Sequence, residues 1–121
     1  MGDELTEQII SAAIEVHRHL GPGLLESIYE EALCHEFSLR KISFERQKEI
    51  DVVYKRTAIK GQRLDLLVDG EVVVEIKSVR KLNDLFTSQV LSYLKSTRCK
   101  RGLLINFGEG RLVDGVKRLS L

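Results

Sequence analysis

Apolar residues recur at helical spacing in two N-terminal stretches, shift to a strand-like pattern in the middle of the chain, and return to helical spacing once more. Ile9, Ile10, Ala13, Ile14 and Val16 predict an amphipathic helix over residues 3–19, with Asp3 as its N-cap. Gly21-Pro22-Gly23 breaks it. A second helix is predicted from Leu24 to Leu39, burying Leu25, Ile28, Tyr29, Ala32, Leu33 and Phe37. From Phe44 to Tyr54 the pattern is that of a strand, with Ile50, Val52 and Tyr54 on one face and Asp51 and Val53 on the other. Lys55 to Gly61 reads as a basic connecting loop. Residues 63–77 then form two apolar strands folded back around Asp69-Gly70, a dipeptide suited to a tight hairpin. Leu82, Leu85, Phe86, Gln89, Val90, Tyr93 and Leu94 trace a third helix, followed by a basic loop, Lys95 to Arg101. Gly102 to Phe107 is a short apolar strand, Gly108-Glu109-Gly110 a turn, and Leu112 to Leu119 a last strand.

Three consecutive strands suit an antiparallel meander, and a helical crossover suits a parallel return to the same sheet. The fold class expected is therefore α/β, a mixed sheet flanked by helices in the order α-α-β-β-β-α-β-β. A chain of 121 residues supports one core, so a single domain over 1–121 is expected.

Composition narrows the class only a little. The chain is 43% hydrophobic and 31% charged, as in ordinary globular proteins, and no run approaches the ~20 apolar residues of a membrane span. Met1-Gly2-Asp3-Glu4-Leu5 is acidic and lacks the basic and apolar regions of a signal peptide, so a cytoplasmic location is expected. Met1-Gly2 with Thr6 matches the opening of a myristoylation pattern only weakly. Cys34 and Cys99 are too few for a disulfide framework and read as free thiols. The net charge of +1 hides an asymmetry: −7 over residues 1–36 and +8 over 37–121. A basic two-thirds can follow a phosphate backbone, and acidic helices can equally pack on a basic sheet.

The chemistry concentrates in the 63–77 hairpin. Its strands are apolar enough to be covered on both faces, yet they carry Asp65, Glu75 and Lys77, and buried charges are costly unless paired or bound to metal. Glu75 and Lys77 share one strand face, and Asp65 lies across the turn. If pairing brings them together, two carboxylates and an ammonium converge, and a hard divalent cation such as Mg²⁺ or Mn²⁺ would relieve the repulsion.

Asp65 followed by Glu75-Ile76-Lys77 resembles the D…ExK signature of the PD-(D/E)XK nuclease superfamily. Gly23-Leu24-Leu25-Glu26-Ser27-Ile28-Tyr29 is similar to the pattern of the GxxExxY proteins, which are grouped with those nucleases. The resemblance extends through residues 15–26, 63–68 and 102–107, nearly the whole chain. It implies a restriction-endonuclease-like core and a third carboxylate, Glu26, from the first core helix. The metal ligands implied are Glu26, Asp65 and Glu75, with the Ile76 carbonyl as a further donor. Gln89 and Tyr93 match the QxxxY motif of RecB-like nucleases, and their four-residue spacing puts both on one helix face. Gln89 would join Asp65, Glu75 and Lys77 in catalysis, and Tyr93, Arg63, Arg80 and Lys81 would contact nucleic acid.

Bland readings stand beside these. Glu26 suits the dipole of its helix, Lys77 suits a snorkelling strand end, and Tyr93 suits a core. His17, His19 and His35 lack metal-ligand spacing. The expected function is Mg²⁺- or Mn²⁺-dependent hydrolysis of DNA, less favourably RNA. The alternative is a non-catalytic nucleic-acid-binding or protein-interaction module that keeps the fold. So short a chain leaves room for a homodimer or partner protein in selecting substrate.

Overall fold

The predicted order of elements is present in the computed structural model, which describes residues 3–121; Met1 and Gly2, with the opening of the myristoylation pattern, lie outside the described residues. Helices α1 (Glu4–Leu20) and α2 (Glu26–Leu39) precede strands β1 (Phe44–Tyr54), β2 (Thr57–Val68) and β3 (Val72–Lys77). Helix α3 (Asp84–Thr97), β4 (Arg101–Asn106), a 3-10 turn (Leu112–Gly115) and β5 (Val116–Ser120) complete the chain. The sheet runs β1-β2-β3-β4-β5, antiparallel throughout except for the β3–β4 pair, which the α3 crossover makes parallel. The fold is thus a mixed five-stranded sheet with three helices, α/β, consistent with a restriction-endonuclease-like core.

The sheet is covered on both faces. Ile9, Ala13, Val16, Tyr29, Leu33 and Phe37 from α1 and α2 pack on Leu66, Val68, Val74, Ile76, Ile105 and Phe107. On the other face Val90, Tyr93 and Leu94 of α3 meet Leu64, Leu67, Val73 and Leu104. Consecutive residues Leu67 and Val68 face opposite layers, as a strand requires. The alternation fails across Asp65, because Leu64 joins the α3 layer and Leu66 the α1–α2 layer.

Several expectations are corrected. Lys55 to Gly61 is strand and turn, not loop: Tyr54 pairs with Thr57 around Lys55-Arg56, whose φ angles of 47° and 69° make a tight hairpin turn. Gly61, at φ 113°, supplies an extra residue where Ile50 pairs with Gln62 but Val52 with Ile59. In α2, Leu25 and Ile28 are exposed and the buried stripe is Tyr29, Glu30, Leu33, Cys34 and Phe37. Glu30 can occupy that stripe because Arg46 and Gln47 satisfy it. Ile14 and Leu85 are likewise exposed. Helix α3 runs on through Lys95 to Thr97, shortening the basic loop, and begins at Asp84 because the Asn83 side chain caps the Leu85 and Phe86 N–H groups. The last strand starts at Val116. Before it the chain curls so closely that a Cβ on Gly115 would lie 2.3 Å from the Asn106 carbonyl oxygen. Cys34 and Cys99 are free. No helix among the described residues is long and apolar enough to cross a membrane.

Candidate active site

Asp65 and Glu75 meet because the β2–β3 hairpin turns where the sequence says it should. Asp69 and Gly70 both adopt left-handed backbone (φ 53° and 65°), and pairing runs from Val68↔Val72 to Leu66↔Val74. The next step outward would pair Asp65 with Glu75, and there the backbone ladder stops. The side chains take over: the Ile76 N–H donates to Asp65 Oδ2 at 2.8 Å, and the Asp65 N–H donates to Glu75 Oε1 at 3.3 Å. Each carboxylate thereby occupies a backbone donor of the opposite strand, and the strands part.

Lys77 Nζ lies 3.9 Å from Glu75 Oε2 and 4.4 Å from the centre of the Phe86 ring, so an ion pair and a cation–π contact both fix it. Burial nonetheless dominates the electrostatics. It pushes Glu75 up to about 8, aided by the Asp65 charge and only partly opposed by Lys77. Burial also raises Asp65, with the Ile76 N–H pulling the other way and the Glu30 charge adding to the rise. Tyr93, buried on α3, is raised to about 12 by desolvation and then by the Glu75 and Asp65 charges. Its phenol therefore stays protonated and able to donate.

Glu26 approaches from the other layer. Its Oε2 accepts the Ser78 N–H at 3.1 Å, just beyond the end of β3, and its charge is felt at Glu75. The loop before it is clamped: the Tyr29 hydroxyl donates to the Gly21 carbonyl and accepts the Leu24 N–H at 3.1 Å, while its ring stacks on Phe107 at 4.5 Å. Gly23 sits at φ 101°, a conformation open to glycine. The Gly23…Glu26…Tyr29 pattern thus has a local meaning: turn, carboxylate, clamp. The Ser78 hydroxyl donates to the Leu24 carbonyl at 2.6 Å, and Val79 is held by buried Asn106, which accepts from the Val79 N–H at 3.0 Å and donates to its carbonyl at 2.9 Å.

Asp65, Glu75, Ile76 and Lys77 are therefore together, with Glu26 at the rim and Tyr93 within electrostatic reach. Gln89 is exposed on α3, one turn before Tyr93. Arg63, Arg80 and Lys81 are exposed and join no ion pair among the described residues. His17 is structural: its Nε2 bonds the Glu109 carbonyl at 2.8 Å. Among the described residues no three His, Cys, Asp or Glu side chains converge closely enough to enclose an ion. The donor set offers the Asp65–Glu75 pair, two hard oxygens groups whose mutual repulsion a divalent cation would offset.

The sequence reading missed Glu30, Arg46 and Gln47. Gln47 Nε2 bridges Glu30 Oε1 (2.8 Å) and Asp65 Oδ1 (3.4 Å), and Arg46 bonds Glu30 Oε2. Glu30 follows Glu26 by four residues, which places it on the same helix face and was the available signal. Nothing local marks Arg46 or Gln47.

A family model described as the PD-(D/E)XK nuclease superfamily matches residues 3–119. The chain belongs to the PD-(D/E)XK nuclease superfamily. No curated protein matches it. Among solved structures, the crystal structure of SSO0001 is similar in fold, with 18% sequence identity and a TM-score of 0.50, covering 98% of this chain and 78% of that one. PD-(D/E)XK nucleases typically use divalent metals, and the Asp65–Glu75–Lys77 arrangement supplies the carboxylates and cation that such chemistry employs.

Proposed function

We infer that the protein is a divalent-cation-dependent nuclease hydrolysing phosphodiester bonds of DNA, with RNA the less favoured substrate. The observation that carries this reading is the pair of carboxylates, buried Glu75 and half-buried Asp65, set beside Lys77 where β2 and β3 part. The Gly23…Glu26…Tyr29 pattern supports a place among the GxxExxY proteins. Asp65 and Glu75 would hold Mg²⁺ or Mn²⁺, with Glu26 and the Ile76 carbonyl as further donors. When bound, the ion would polarise a phosphoryl oxygen and acidify a coordinated water.

The chain's own groups do the rest. Lys77, fixed by Glu75 and Phe86, stabilises charge developing on the phosphate or orients the attacking water. Tyr93 presents a protonated phenol, and Gln89 an amide one turn away, for the scissile strand. Arg63, Arg80 and Lys81 are solvent-facing cations suited to phosphates. Cleavage of plasmid, duplex and single-stranded DNA and of RNA, with Mg²⁺ or Mn²⁺ and with a chelator, tests the reading. Asp65→Ala is expected to abolish hydrolysis, and Lys77→Ala to slow it about 10²–10⁴-fold. Salt-dependent DNA binding without hydrolysis by wild type would instead support a non-catalytic module.

A further inference from the structure

One residue of β1 departs from strand habit in both backbone and side chain. Gln47 has φ 49°, a left-handed conformation that is costly for residues other than glycine and is kept only where the surroundings enforce it. It falls between the Arg46↔Leu66 and Lys48↔Leu64 pairs, opposite Asp65. Its Nε2 donates to Glu30 Oε1 at 2.8 Å and to Asp65 Oδ1 at 3.4 Å. The reversed amide would set an oxygen against two carboxylates, so the neighbours decide which atom is nitrogen.

The anchor behind it is complete. Glu30 is buried, and its other oxygen, Oε2, receives Arg46 Nε and Nη2 at 3.1 and 3.0 Å. Asp65 is divided in the same way: Oδ2 takes the Ile76 N–H, and Oδ1 is left to Gln47. Both rotational degrees of freedom of the Asp65 carboxylate are thereby restrained from outside the β2–β3 hairpin as well as from within it.

We propose that Gln47 is a positioning residue for Asp65, holding its Oδ1 in the orientation that ligates a divalent cation, with the Glu30–Arg46 ion pair as its anchor. The inference rests on the cation-dependent reading of the site. Groups that orient a ligating side chain typically change metal affinity 10–100-fold when removed.

The test is calorimetric titration with Mn²⁺ alone, beside thermal melting of the metal-free protein. Gln47→Gly removes the amide that Glu30 Oε1 accepts, a loss that the eased left-handed backbone offsets, so it is expected to melt cooperatively near the wild-type temperature and to bind Mn²⁺ about 10–100-fold more weakly. A residue that only supports the fold gives the opposite signature, a lower melting temperature with unchanged affinity, and that result overturns the proposal. Asp65→Asn separates the two levels of inference. Wild-type Mn²⁺ affinity in that variant removes the cation site itself. Lost binding there with wild-type affinity in Gln47→Gly removes only the positioning role. Gln47→Asn tolerates the same φ but carries an amide one methylene short of spanning both carboxylates, and is expected to bind Mn²⁺ as weakly as the glycine variant. Loss of cooperative melting in both variants makes Gln47 structural and likewise overturns the proposal.

Discussion

Two hairpins share β2, and both turn on a pair of left-handed residues built from opposite materials. The inner one, β2–β3, is apolar, buried on both faces and closed by Asp69-Gly70. The outer one, β1–β2, carries exposed Val53, Tyr54 and Ile59 and closes on two cations, Lys55 and Arg56, at the same left-handed φ angles that Asp69 and Gly70 adopt. It touches α3 chiefly through buried Ile50 and a Gln62–Ser92 hydrogen bond. The inner hairpin is held by burial and the outer by its own ladder. The carboxylates lie at the junction, where Asp65 belongs to both and the strict alternation of β2 breaks down. A rigid apolar half fixes the acids, and a polar half brings Gln47 to them.

The largest test of this contrast uses one strand. Leu66 is fully buried, so Leu66→Ala is expected to cost about 2–5 kcal/mol in urea unfolding. Ile59, 47% exposed on the outer half of the same strand, should change stability by no more than about 0.5 kcal/mol on truncation. Comparable losses at the two positions would mean that the outer hairpin is as buried in solution as the inner one.

The junction makes an intermediate prediction. Glu75 is raised from 4.5 to about 8, so between those values the native state binds more protons than the unfolded chain. The stability of the metal-free protein is thus fully present below about pH 4.5 on this account, falls as pH rises, and levels above about 8. Its steepest slope is about 1.4 kcal/mol per pH unit for one proton. Urea midpoints from pH 5 to 9 read this directly, and Glu75→Gln should flatten the profile. A wild-type profile already flat across that range would show that Glu75 is solvated. Mn²⁺ replaces the proton in offsetting the two charges, so its stabilising effect is expected to grow with pH.

How far the sequence could be read follows the same division. The inner hairpin was legible because every signal agreed: β-branched runs, an Asp-Gly turn, and acids placed against apolar context. Gly23, Glu26 and Tyr29 were legible as a motif, although the clamp of Tyr29 on Gly21 and Leu24 was not. Glu30 escaped notice because a carboxylate in a buried stripe makes sense only once β1, the next element, folds back and brings Arg46 and Gln47 to it. The Lys55-Arg56 turn escaped for a related reason. Neither residue favours φ above zero, so the pairing of β1 with β2 imposes the turn that the side chains do not encode.

That imposed turn supplies the smallest and most discriminating prediction. Converting Lys55-Arg56 to Asn-Gly gives the outer hairpin a sequence suited to its own geometry and should stabilise the protein by up to about 1 kcal/mol. Gly70→Ala runs the experiment in reverse on the inner turn. No atom lies within 4 Å of the Cβ it would add, so its cost is conformational alone, from a side chain at φ 65°, on the order of 1 kcal/mol. The two changes should be nearly additive, because the turns close opposite ends of β2 and share no partner. They should differ in their effect on the site. Gly70→Ala acts on the turn that sets the Asp65–Glu75 register, so it should weaken Mn²⁺ binding beyond what its stability loss requires. The Asn-Gly exchange should leave Mn²⁺ affinity at the wild-type value, because Gln47 reaches Asp65 from the part of β1 inside the Gly61 bulge, which uncouples it from the tip.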